Sequence, residues 1–89
     1  MRTVEDLVAG VFGVERKGID ERSSPKTVEG WDSMGHLNLV LALEHNFKVS
    51  IAAADVIEMA NVRKIKEILR EYGVRAEGAE ADSVRNAEP

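Results

Sequence analysis

Apolar side chains recur at helical spacing from the start of the chain. Val4, Leu7, Val8, Val11 and Phe12 fall at i, i+3, i+4, i+7 and i+8, one stripe on a helix over residues 3–13. Thr3 stands where an N-cap belongs, Glu5 and Asp6 fall in the first turn, where the helix dipole favours anions, and Gly13 supplies a stop. From Val14 to Asp32 the pattern is lost, and ERKGIDERSSPKTVEGWD mixes glycine, proline, serine and charge. A loop of that length in a compact domain is usually functional or disordered. Ile19, Val28 and Trp31 are its strong apolar anchors and should pin it across the helices.

Periodicity returns over residues 33–47, which predict a second helix. Leu37, Val40, Leu41 and Phe47 form its stripe, and Leu39 and Leu43 widen it. After the connector FKVSI, residues 52–59 predict a short third helix or turn with Val56, Ile57 and Met59 to bury. Asn61 then caps a fourth helix, with Val62, Ile65, Ile68, Leu69 and Tyr72 at core spacing and Gly73 as its stop. Arg63, Lys64, Lys66 and Arg70 interleave with Glu67 and Glu71, as on a solvated face. The tail 74–89 alternates small and charged residues, too few of them apolar to offset its ordering entropy, and is expected to be mobile. The pattern as a whole is all-α, one domain over residues 1–73 followed by that tail.

Composition narrows the function classes. In 89 residues, 44% are apolar and 31% charged, as in an ordinary soluble domain. No apolar run approaches the roughly 18 residues of a membrane span, and the N-terminus lacks the apolar core of a secretory signal. There is no cysteine, so disulfides and thiolate metal sites are excluded and a cytoplasmic location is the default expectation. A net charge of −4 and a pI near 5.1 speak against nucleic acid as a partner. His36 and His45 lie nine residues apart, not on one helical face, so no metal site is expected. A chain this short buries a small core, which leaves little room for an internal catalytic pocket.

The candidate chemistry lies in GWDSMGHLNLV, residues 30–40. Ser33 has three readings. Asp32 and Ser33 are both preferred N-cap residues. Ser33 and His36, at i and i+3, can touch and so suggest a nucleophile and a base. Asp32 is adjacent to Ser33 and poorly placed to orient His36 from behind, so a triad is not supported. The third reading is an attachment point: a helix start offers unpaired amides and a partial positive charge that favour a phosphate ester. Gly35 removes a side chain from the first turn, which would ease the approach of a partner.

The stretch GWDSMGHLNLVLALEHNFKVSI, residues 30–51, resembles the signature of the acyl carrier protein family, and EMANVRKIKEIL resembles that family's junction between its third and fourth helices. The likeness extends over about residues 3–73. It implies an acyl-carrier-like four-helix bundle, three main helices and one short one, with a long loop between the first two. It implies 4′-phosphopantetheine on Ser33, with Asp32 as the adjacent acid that assists the phosphopantetheinyl transferase. That enzyme loads the arm from coenzyme A with magnesium. Met34 stands where the family has Leu, a swap that keeps volume and apolarity.

The resemblance further implies a non-enzymatic, monomeric substrate and tether. Acyl cargo would ride as a thioester, on a thiol this cysteine-free chain does not itself possess. Partners would be an acyl-loading ligase or acyltransferase and the synthases or transferases of fatty-acid, polyketide or related lipid biosynthesis. Met34, His36, Leu37, Asn38 and Glu44 would meet them. Residues 32–48 hold only Asp32 and Glu44 against Lys48, fewer acids than the housekeeping carrier of fatty-acid synthesis, which points to a specialised stand-alone member. A peptidyl or aminoacyl carrier of a nonribosomal pathway is the nearest alternative. A small helical interaction or DNA-binding module is the alternative from another class.

Overall fold

The computed structural model describes residues 3–74, whose regular elements are all helices, with no strand among them. The first helix, α1, is Val4–Phe12. Thr3 and Asp6 close a capping box: the Asp6 amide donates to the Thr3 hydroxyl at 3.1 Å and the Thr3 amide to the Asp6 carboxylate at 3.0 Å. The Thr3 amide, then Arg16, hold the Asp6 carboxyl below its ordinary pKa. Gly13 ends the helix in the left-handed region, at φ 66°.

The long loop is ordered by three kinds of contact. Ile19, Val28 and Trp31 are buried in the core, as their apolarity predicts. A short 3₁₀ turn, Arg16–Gly18, brings Arg16 to Asp6 at 2.8 Å. Farther on, the carbonyls of Ser23 and Glu21 accept the amides of Val62 and Arg63, both at 3.0 Å. The loop therefore satisfies amides that the fourth helix cannot pair within itself.

The second helix, α2, is Ser33–Phe47, and Lys48 terminates it at φ 54°. The third, α3, is Ala53–Glu58 and buries none of its own six residues fully. The fourth, α4, is Val62–Glu71, capped by Asn61, whose side chain accepts the Lys64 amide at 2.7 Å. Helix α1 packs on α2 and α4. The core joins Val4, Leu7 and Val8 of α1 to Leu39, Val40 and Leu43 of α2, to Met59, and to Val62, Ile65, Ile68 and Leu69 of α4. Val11, Phe12, Phe47 and Tyr72 pack at its margin.

Four expectations are corrected. Leu37 and Leu41 do not face the core: they are 53% and 62% exposed, and Leu39, Val40 and Leu43 take the buried positions instead. Ile57 is 81% exposed. Lys66 is not on a solvated face but buried, with its ammonium 2.7 Å from Glu5 and 3.2 Å from Glu21. Burial alone would lower the Lys66 pKa; the bonds to Glu5 and then Glu21 outweigh it and hold the group above the ordinary lysine value. Val74, placed in the expected tail, packs against the core and donates to the Leu69 carbonyl at 2.9 Å. The rest of the expected mobile tail lies outside the described residues.

Candidate functional site

The start of α2 is built from the loop that precedes it. Trp31 is buried and stacks on Phe12, with ring centroids 5.6 Å apart. Just before it, Gly30 takes φ 94° and turns its carbonyl onto the first turn of α2. Gly35 receives that carbonyl. A methyl group at position 35 would overlap the Gly30 oxygen and come 2.8 Å from the Phe12 ring. The glycine expected to admit a partner is instead buried, and it admits the chain's own loop.

That closure decides which residue caps the helix. Asp32 has extended backbone, and its carboxylate accepts the Gly35 amide at 2.8 Å. Asp32 is therefore the N-cap and Ser33 the first helical residue. Ser33 is exposed, and its hydroxyl makes no hydrogen bond among the described residues. The reading of Ser33 as a cap is corrected: the cap is taken by its neighbour, and the hydroxyl is left over.

His36 is equally well defined. The Trp31 indole N–H donates to His36 Nδ1 at 2.9 Å, and Nε2 lies 2.9 Å from the Val56 carbonyl oxygen. An indole nitrogen can only donate and a carbonyl can only accept. The neutral ring with its proton on Nε2 is the form that satisfies both. Neither nitrogen has a lone pair left to take a proton from Ser33, a second reason against the serine nucleophile beside the poor placing of Asp32. His36 is half-buried, with both ring nitrogens engaged within the fold.

Beside Ser33 opens a groove of about 550 Å³. Trp31, Asp32, Ser33, His36 and Leu37 form one side, with Ile57, Met59 and Ala60 opposite. Its walls are mainly apolar, with the Ser33 hydroxyl and the Asp32 carboxylate at the rim. An exposed hydroxyl at a helix start, above an apolar channel, suits a phosphate ester whose remainder is a long flexible chain.

The other surface candidates separate. Met34 is 66% exposed and shares a stripe with Leu37 and Leu41, at i, i+3 and i+7. Asn38 is exposed beside it. Glu44 lies at the far end of α2, half-buried, where its carboxylate accepts the Ile51 amide at 2.8 Å. Sequence reasoning missed Leu41 and Ile57 as surface residues, since each is apolar and fits a core stripe equally well. It also missed the Trp31–His36 bond, for which a tryptophan and a histidine five residues apart across a helix start give no recognised signal.

Among the described residues no three His, Asp or Glu side chains gather as a metal site would need, and no helix is long and apolar enough to cross a membrane. A family model described as the phosphopantetheine attachment site matches residues 2–69.

Proposed function

Because the chain belongs to the phosphopantetheine attachment site family, whose members hold 4′-phosphopantetheine covalently on a serine, we propose that Ser33 is that serine and that the protein is an acyl carrier. The observation that supports it most is the free hydroxyl of Ser33 at the first position of α2, exposed because Asp32 has taken the cap. The other serines in the described chain fit less well. Ser23 is buried and accepts the Asp20 amide, and Ser24 accepts the Lys26 amide. Ser50 lies beyond the opposite end of α2, away from the groove.

When attached, the arm supplies the thiol on which acyl cargo rides as a thioester. The chain's own residues do the rest. The unpaired amides of the first turn of α2 favour the phosphate. The apolar walls at Leu37, Ile57 and Met59 give the arm a surface to lie on. Asp32 keeps the helix start in place and stands beside the serine as the acid that assists loading. Partner enzymes in fatty-acid, polyketide or related lipid biosynthesis would dock on the apolar stripe Met34, Leu37 and Leu41, with Asn38 and Ile57 beside it. The scarcity of acids on α2 suits a specialised stand-alone carrier that docks by apolar contact more than by a charged surface.

Intact mass tests this directly. The purified protein, given coenzyme A, magnesium and a broad-specificity phosphopantetheinyl transferase, is expected to gain one arm. Ser33→Ala should gain none, and Ser50→Ala should gain one as the parent does. No added mass with several active transferases, or an arm retained in Ser33→Ala, would sink the proposal. Efficient use of the loaded protein by the malonyl transferase and ketosynthase of fatty-acid synthesis would refute the specialised reading.

A further inference from the structure

Helix α3 is fastened by hydrogen bonds at its two ends, with Val56 packed, partly buried, against the core. None of its residues is fully buried. At its start, Tyr72 accepts the Ala52 amide at 2.9 Å and donates to the Asp55 carboxylate at 2.6 Å. Near its end, the Val56 carbonyl takes the His36 Nε2–H at 2.9 Å, beside the Met59 amide at 3.3 Å. The other nitrogen of that imidazole is bonded to Trp31, which is buried and stacked on Phe12. One ring therefore joins the buried Trp31 of the long loop to a helix that has no fully buried residue. It does so at the groove whose far side is Ile57, Met59 and Ala60.

We infer that His36 is a positioning residue: neutral, with its proton on Nε2, it holds the end of α3 toward Trp31 and so sets the width of the groove beside Ser33. The inference rests on the carrier reading for its functional consequence, since the groove is where the arm would lie. Losing the bond to Trp31 frees the ring to turn, and losing the bond to Val56 releases the end of α3.

Trp31 is the only tryptophan, so its emission reads the latch in the full chain before any arm is attached. His36→Gln, which leaves the indole N–H unmet, should shift that emission relative to the parent, whereas His36→Asn, which keeps an acceptor near Nδ1, should stay close to it. The two variants also divide the ring's bonds. Asn sets a carbonyl near Nδ1 and can accept from Trp31 but falls short of Val56, whereas Gln sets an amide near Nε2 and can donate to Val56 but leaves Trp31 unmet.

At pH 8, amide exchange at Met59 and Ala60 is expected to be about fivefold faster in His36→Asn than in the parent, and close to the parent in His36→Gln. The KM for loading Ser33 should rise with the exchange rate while kcat stays within about twofold. Equal emission in both variants and the parent, or equal exchange in all three, would overturn the inference. Emission and exchange are read on the unloaded chain, so a protein that takes no arm but shows both effects keeps the latch and loses the carrier function.

Discussion

At the scale of single residues, the site depends on one missing methyl group. Gly35 lets the Gly30 carbonyl and the Phe12 ring close on the first turn of α2, which places Trp31 in the core and Asp32 at the cap. Gly35→Ala is expected to destabilise the fold by about 1–3 kcal/mol, although alanine is roughly 1 kcal/mol better than glycine inside a helix. Gly18→Ala is the control, because a methyl group there meets open space and should change stability by no more than about 0.5 kcal/mol. Urea unfolding of both variants measures the difference, and equal midpoints would contradict the close approach. The same paragraph of sequence, GWDSMG, shows how much of this was legible. Asp32 and Ser33 were both readable as caps. Only the folded backbone, with the Gly35 amide 2.8 Å from the Asp32 carboxylate, decides between them.

At the scale of elements, α2 is the informative case. It is apolar on more than one side, with Leu39, Val40 and Leu43 on one face and Met34, Leu37 and Leu41 on another. Helical periodicity identifies a helix there but not which stripe goes inside. Leu43 is fully buried and Leu41 is 62% exposed. Leu43→Ala should therefore cost about 2–5 kcal/mol, while Leu41→Ala should stay within about 0.5 kcal/mol. Chemical denaturation of the two variants checks this, and a larger loss at Leu41 would reverse the face assignment. Helix α4 was easier to read, because its charged positions leave a single apolar stripe. Even so, α4 concealed Lys66, whose burial depends on acids from α1 and the loop.

At the scale of the whole molecule, Lys66 is the joint between three parts of the chain. Its ammonium meets Glu5 of α1 and Glu21 of the long loop from its place on α4. Lys66→Met leaves Glu5 buried without a counter-charge and should destabilise by about 3 kcal/mol, whereas Lys66→Met combined with Glu5→Leu should recover most of that loss. The pH dependence follows from the raised pKa of Lys66. A group whose folded pKa is raised stabilises the fold fully below its unfolded value, here 10.5, and that contribution is lost as pH rises through the folded value. The parent should lose stability above about pH 10.5 more steeply than the double variant does. Urea midpoints between about pH 8 and 12 follow this titration, and parallel curves would refute the role given to Lys66.

The sequence by itself determined the helices, the caps and glycine stops of α1 and α4, the three apolar anchors of the loop, and Ser33 as the residue to watch. Those features are local: they depend on spacing within one turn or on the conformational limits of a few residue types. The tertiary structure decided which face of α2 is buried, that Gly35 serves the loop rather than a partner, that Lys66 is an interior cation, and that His36 binds Trp31 and Val56 at once. Each of these depends on groups far apart in the chain, brought together by the closing of the loop over α2 and α4. Such a pairing leaves no period or spacing behind, because the chain specifies it only through the packing of the whole.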